Sequence, residues 1–403
     1  MRISESLALK IPDRFMPTLR ILLRYQRLLR YRCLLGYRRL LRYQHLLTRK
    51  PVEEYTDFFS QQRLLRENYS PDIEKLIVFL TPGYDFVGGG VLAISSIYEE
   101  TKKLKHIHEG EVIMCTQPGH PPLIRYTKFE NQNYIYRFSQ VLSYFQNLRN
   151  LMIHIPEYCV GQFQQNISNE DRLRLTKIKN VNVNIMIMNI VKLESLVPME
   201  YINELKQFGK LTCTTAHEQY STLKLREKLG IPLHKLSVFV SPEQYSKKTY
   251  VEKENLMIVS PDQHKNKWKI LKLLVKQFPQ LRIQIIRDLT YAEYKDVISQ
   301  AKWALTFGEG LDGYFVETIF SGGVSFSVYN REFFTEEFGS LHTVYENYEI
   351  MFEKLCSDIK DLDNEINYTG YQNKQYDLCC KYYDYKQYVN NLELFYKGQY
   401  TYE

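Results

Sequence analysis

Two glutamates, Glu309 and Glu317, stand eight residues apart in the stretch FGEGLDGYFVETIFSGG, Phe307–Gly323. The apolar run WALTF precedes them and GGVSFSVY follows, so Glu309 falls at the end of an expected strand and Glu317 in the first turn of an expected helix. A carboxylate there accepts hydrogen bonds from ligand hydroxyls, while the unpaired N–H groups of the helix start face an anion. Glycines between the two glutamates let a backbone come close to a ligand. The competing reading is that Glu317 only complements the helix dipole and Glu309 is solvated. Spacing alone does not decide, because glutamate pairs eight apart recur by chance in a chain this rich in glutamate.

Other residues invite the same question. Gly88, Gly89 and Gly90 follow a short apolar run and open a helix, with Asp85 just before them. A glycine cluster there either approaches a ligand or makes a tight turn, and Asp85 either binds a hydroxyl or caps the turn. His154 ends the apolar run LMIHI, and His217 lies near a helix start in TTAHEQYST. A lone histidine at such a position is ordinarily a satisfied core group. No D-x-D pair follows a strand, so a metal site of that kind is not expected.

These residues need elements to position them. KLIVFL (Lys75–Leu80) leads through TPGYDFVGGG into VLAISSIYEETKKL, which is apolar at helical spacing. EVIMCT, YIYRF, LMIHI, VNIMIMNI and KLTCTT read as further strands, alternating in part with helices such as Met199–Phe208. A second series begins near Leu236: LSVFV, NLMIVS, the helix KWKILKLLVKQF, LRIQII, the helix YAEYKDVISQA, WALTF, another helix, and VSFSVY. Such alternation predicts mainly parallel, doubly wound sheets in two Rossmann-like domains, 73–232 and 233–345, with ligands beyond the carboxyl ends of the strands. A linker is expected over 51–72, and a helical, Tyr-rich segment over 346–403.

The chain has 403 residues, 44% apolar and 25% charged, which suits two folded domains with cores of their own. Seven cysteines are scattered without a C-x-x-C pair, which fits reduced thiols better than disulfides or zinc. Charges interrupt the first 18 residues, and no uncharged apolar stretch approaches the ~20 residues that span a bilayer. The expectation is therefore a cytoplasmic protein, or one peripheral on the inner face of the membrane.

The net charge of +7 is unevenly placed. Residues 1–50 carry 13 Lys/Arg against 2 Asp/Glu, a local +11, and the remainder carries −4. A mildly acidic body argues against nucleic acid as its ligand. The basic extension repeats a hexad, LLRYQR LLRYRC LLGYRR LLRYQH LL, from Leu22 to Leu47. On a helix each hexad turns its Leu pair by about −120°, so no single seam persists as a coiled coil requires. Local Leu/Tyr stripes flanked by Arg suit an anionic membrane surface; a tolerated tandem duplication is the alternative.

The run GEGLDGYFVETIFSGG resembles the Glu-x7-Glu signature of retaining GT-B glycosyltransferases, the glycosyltransferase family 4-like enzymes of bacterial surface glycan synthesis. It keeps Glu309, Gly310, Glu317 and Gly322, has Gly313 near the second glycine position, and departs at Thr318, Phe320 and Val324. The order of the surrounding elements matches from about Lys75 to Tyr329. The resemblance implies a GT-B fold with two domains facing a central cleft. It implies that Glu317 binds ribose hydroxyls, that Glu309 binds the donor sugar, and that the N–H groups of Tyr314 and Phe315 face the diphosphate. In SPDQHKNKWK the family's arginine is missing; Lys267 best fits its lysine, with Lys265 a near alternative. It places Gly88–Gly90 and Asp85 against the diphosphate and acceptor, and His154 near the reacting sugar.

The resulting expectation is metal-independent transfer of a sugar, with retention, from a nucleotide-sugar to a glycan or lipid-linked acceptor. No cofactor is expected beyond the nucleotide-sugar substrate. Rival expectations are a nucleotide-sugar 2-epimerase on the same fold, a non-catalytic nucleotide-sugar or glycan-binding protein, and a nucleic-acid function confined to the extension.

Overall fold

The structure is a computed structural model that describes residues 58–85, 88–121, 123–126, 133–236, 240–287 and 289–403. The hexad repeat lies outside the described residues, as does much of the stretch expected to be a linker. The described part of that stretch is not a linker: Phe58–Asn68 is a helix. It is tied down because Leu65 is fully buried and the Gln61 amide donates to the Ile135 carbonyl and accepts from Arg137 N–H.

The first sheet holds seven parallel strands: β1 (Lys75–Thr81), β2 (Glu111–Thr116), β3 (Ile135–Arg137), β4 (Asn150–Pro156), β5 (Asn180–Ile187), β6 (Lys210–Thr215) and β7 (Leu233–Lys235). Their order is β3-β2-β1-β4-β5-β6-β7. Parallel strands covered on both faces need near-continuous apolar runs, and β1 and β2 are buried along almost their whole length. Ile77, Phe79, Met114 and Met186 pack with Ile94 and Tyr98 of the helix Gly89–Lys103, and with Tyr388 and Leu392 of the C-terminal helix Tyr385–Tyr396.

The boundary expected at 232/233 falls one strand early. Leu233, His234 and Lys235 pair with Cys213, Thr214 and Thr215 of β6, which places β7 in the first sheet. The far side of β7 is closed by the chain's own end, where Leu233 and Tyr402 exchange backbone hydrogen bonds of 2.9 Å. Three residues are too few to announce a strand in sequence; the two neighbours make it one.

The second sheet holds five parallel strands: β8 (Glu254–Val259), β9 (Arg282–Ile285), β10 (Ala301–Leu305), β11 (Val324–Val328) and β12 (Val344–Tyr345), in the order β12-β11-β10-β8-β9. β12 is too short to satisfy all of β11. The buried Gln375, on the helix Glu365–Tyr382, continues the ladder by accepting from Ser325 N–H (3.0 Å) and donating to Ser325 C=O (2.8 Å). Tyr368 on the same helix donates to the carbonyls of Lys302 and Gly322. Several tyrosines of the last 60 residues are thus packing groups with polar tips.

Lys265–Pro279, which carries the helix Lys267–Gln277, belongs to a separate compact unit from the rest of the described chain. Among the described residues no helix is long and apolar enough to cross a membrane.

Candidate functional site

Glu309 sits on a loop that several bonds hold open at the carboxyl end of β10. Thr306 Oγ1 donates to Gly310 C=O (2.8 Å), and Phe307 N–H donates to Ser260 Oγ (3.0 Å) just past β8. Gly308 and Gly310 adopt φ of 77° and 84°, where any side chain is strained. A Cβ on Gly310 would also stand 2.7 Å from the Phe334 ring. The Glu309 carboxylate is half-buried and accepts a hydrogen bond from Asn189 Nδ2, which lies just past β5 of the first domain. Burial, then the charge of Asp262, raise its pKa; the Asn189 bond opposes them.

Asp312 caps the next helix, Gly313–Phe320, accepting from Phe315 N–H at 3.0 Å. That corrects one expectation: the Phe315 amide is spent on the cap and does not face a ligand. Burial, the largest cause, holds the Asp312 carboxyl well above its usual range.

Glu317 is buried one turn into this helix, with its carboxyl folded back over the helix start. A Cβ on Gly313 would stand 2.7 Å from Glu317 Oε1, so the absence of a side chain there makes room for the carboxyl. Burial pushes its pKa up to about 8; the nearby Tyr245 and Tyr294 hydroxyls offset only part of the rise. Neither closes a hydrogen bond to Oε2. Glu317 Oε2 and the Tyr294 hydroxyl are both buried without a hydrogen-bond partner, while the Tyr245 hydroxyl is engaged with Tyr291 at 2.9 Å. An unpaired buried polar atom costs about 1–3 kcal/mol. An acceptor and a donor left open beside one helix start suit a ligand carrying hydroxyls.

On the first domain, Gly88 is the N-cap of Gly89–Lys103. A Cβ on Gly89 would meet nothing within 4 Å, whereas one on Gly90 would approach the Tyr158 hydroxyl at 3.2 Å and Met188 Sδ at 3.6 Å. This glycine-led helix start is therefore contiguous with the carboxyl ends of β4 and β5, and through Asn189 with Glu309. Asp85 is half-buried after β1. Lys267 opens the helix Lys267–Gln277, with Lys265 just before it, both in the separate unit.

His154 is not brought to this cluster, contrary to expectation. It lies within β4, opposite Phe79 and Asn184, with its ring stacked on Phe79 (centroids 4.3 Å apart). Asn184 Nδ2 lies 3.1 Å from its Nδ1, and the Tyr396 hydroxyl lies 3.1 Å from its Nε2. Burial pushes its pKa down to about 3. The strand runs two residues past His154, and the C-terminal helix covers the face it points to, so it is a satisfied core histidine. His217 is half-buried, desolvation pushes its pKa down to about 4, and it packs edge-on against Phe333 in a small cavity shared with Leu311.

The sequence reading missed Glu157. It follows β4 in IPEY, is buried, and its carboxylate accepts from Met188 N–H (3.0 Å) and Asn189 N–H (3.3 Å). Its one signal is a glutamate immediately after an apolar strand, the same context that singled out Glu309. A recess of about 850 Å³ lies elsewhere: it opens at the β12 edge, where His342, Lys354, Asp358 and Lys374 are among its walls, and holds none of these groups. Among the described residues no group of three or more His, Cys, Asp or Glu side chains is placed to hold a metal ion.

No protein-family model matches the chain, and no curated protein matches it by sequence. Among solved structures it is similar to a glycosyltransferase from Rickettsia africae ESF-5, with 12% identity and a TM-score of 0.50, over 81% of this chain and 98% of the other. It is also similar to the α,α-trehalose 6-phosphate synthase of Burkholderia multivorans (9% identity, TM-score 0.47, 81% and 98% covered). A third is the UDP-GlcNAc 2-epimerase of Neisseria meningitidis bound to UDP-GlcNAc (12% identity, TM-score 0.44, 81% and 99% covered). At these identities the likeness is one of fold. The chain has the GT-B fold expected of it, two parallel-sheet α/β domains of seven and five strands that meet where Asn189 touches Glu309.

Proposed function

We propose that the chain is a retaining glycosyltransferase that moves a sugar from a nucleotide-sugar to a glycan or lipid-linked acceptor. The observation that carries this reading is the buried Glu317 carboxyl, whose Oε2 is open beside an open Tyr294 hydroxyl. In the proposal Glu317 accepts from the ribose hydroxyls and Glu309 from the donor sugar. Lys267, or Lys265, and the Tyr314 N–H meet the diphosphate, and Gly88–Gly90 with Asp85 face the diphosphate and acceptor. Charge-assisted bonds of this kind hold and orient a ligand more firmly than neutral ones. His154 takes no part.

During transfer the bond from the anomeric carbon to the leaving phosphate oxygen breaks and a bond to the acceptor oxygen forms on the same face. The leaving phosphate oxygen takes the acceptor's proton. Fixed dipoles and a lysine at that oxygen supply several kcal/mol, the usual scale of such electrostatic effects. No pair of close carboxylates is needed as in retaining glycosidases. Residues 1–50, in the same proposal, draw the protein to anionic lipid, where a lipid-linked acceptor would be found.

The test is release of nucleoside diphosphate from a panel of nucleotide-sugars, with and without saccharide and lipid-linked acceptors, and the anomeric configuration of the product by NMR. Acceptor-dependent release with retained configuration is expected. A free epimer formed without acceptor points to the 2-epimerase, and donor binding without turnover to a binding protein.

A further inference from the structure

Glu309 alone does not explain how its carboxylate is aimed, because it stands on a glycine-turned loop four residues past the end of β10. The group that touches it belongs to the other domain. Asn189 donates from Nδ2 to Glu309 Oε1, and its Oδ1 accepts from Val191 N–H at 2.9 Å. The second bond fixes which end of the carboxamide is which: with the oxygen held by an N–H, the NH2 group must face Glu309.

The Asn189 backbone is itself held. Glu157 grips two consecutive amides, Met188 N–H through Oε2 and Asn189 N–H through Oε1. The Tyr220 hydroxyl takes the Met188 carbonyl at 2.7 Å. Burial raises the Glu157 pKa to about 7, and the charge of Glu309 is a smaller contribution in the same direction. A carboxyl buried this deeply beside another carboxyl is an expensive way to end a strand; a neutral side chain could cap β5 more cheaply.

We propose that Glu157 and Asn189 are positioning residues: Glu157 fixes the β5 end, and Asn189 then sets the orientation of Glu309 across the domain boundary. This rests on the glycosyl-transfer reading for what Glu309 does, but not for the relay itself. The consequence is that the donor-sugar end of the site is completed by the first domain, while Glu317 and the tyrosines beside it, at the ribose end, belong to the second.

Two measurements test it. In the ligand-free full-length protein, hydrogen–deuterium exchange over residues 306–313 should quicken about ten-fold or more in Asn189→Ala, the factor that a lost hydrogen bond to a charged group represents. Glu157→Ala should do the same over 188–191 and 306–313, and Ile366→Ala, exposed on the helix Glu365–Tyr382 and outside the relay, should leave both unchanged. With a nucleotide-sugar that the wild type turns over, Asn189→Ala should lower kcat about ten-fold or more while nucleoside diphosphate affinity stays within about two-fold. Unchanged exchange in Asn189→Ala overturns the relay, and so does an equal loss of nucleoside diphosphate affinity, which would mark a general structural role. If the wild type turns over no nucleotide-sugar, the glycosyl-transfer reading falls and the exchange measurement still decides the relay.

Discussion

Gly313 lies directly beneath the Glu317 carboxyl: a Cβ added to the glycine would stand 2.7 Å from Oε1. The atom it would strike is the free end of a flexible side chain, so Gly313→Ala displaces the carboxylate and not the helix. Alanine is the better helix former by up to about 1 kcal/mol. The expected outcome is a Tm equal to or above wild type with nucleoside diphosphate affinity reduced about ten-fold, the scale of one charge-assisted bond. Calorimetry beside a thermal melt checks both halves.

Removing the two glutamates should separate binding from turnover. Glu317→Ala should weaken nucleoside diphosphate binding by about 1.5–3 kcal/mol, roughly 10- to 150-fold. Glu309→Ala should instead chiefly lower turnover, because orientation of the sugar is lost. Unchanged nucleotide affinity in a folded Glu317→Ala protein would remove Glu317 from the site.

Glu317 also sets a pH dependence with a definite sign. Its folded pKa, about 8, lies above its ordinary value of 4.5, so between those limits the folded state holds a proton that the unfolded state has lost. Its contribution is fully present below about pH 4.5, declines as pH rises, and is gone above about pH 8. Glu317→Gln should therefore stabilise the ligand-free protein more at pH 8.5 than at pH 5, by on the order of a few kcal/mol. Melts of the two proteins across this range read the difference directly. A difference that does not change with pH would mean that Glu317 titrates normally.

His154 should behave as a core residue. His154→Ala removes the stacking on Phe79 and the contacts to Asn184 and Tyr396, and should cost about 2–4 kcal/mol of stability. Activity per folded molecule should be retained. Because its folded pKa, about 3, lies below the ordinary 6.5, the stability it supports is complete above about pH 6.5 and is lost as the pH falls toward 3. A variant that melts like wild type but has lost turnover would return His154 to the chemistry.

The basic extension should matter only at membranes. The full-length protein should sediment with anionic vesicles at low salt, and a chain beginning at Pro51 should not, since each basic residue near such a surface contributes about 1 kcal/mol. Neutral vesicles or high salt should abolish the difference. Equal sedimentation of the two proteins would leave the repeat without this role.

How much of this was legible beforehand follows from how local each feature is. The runs KLIVFL, LMIHI and VNIMIMNI declare parallel strands because both faces of such a sheet are buried and periodicity is lost; they became β1, β4 and β5. WALTF before Glu309 and the glycine-led turn before Glu317 declare a strand end and a helix start, which is what lies there. The Asp312 cap was missed, although its signal is local too: an aspartate three residues before Phe315 competes for its amide. β7 was not legible, since three residues become a strand only with β6 on one side and Tyr402 on the other. Nor was the destination of His154, which depends on a helix more than 230 residues later returning to cover β4. The chain from Glu157 through Asn189 to Glu309 links residues 32 and 120 apart. Local chemistry chose the residues at each strand end; only packing two sheets with their carboxyl ends together decided which of those ends touch.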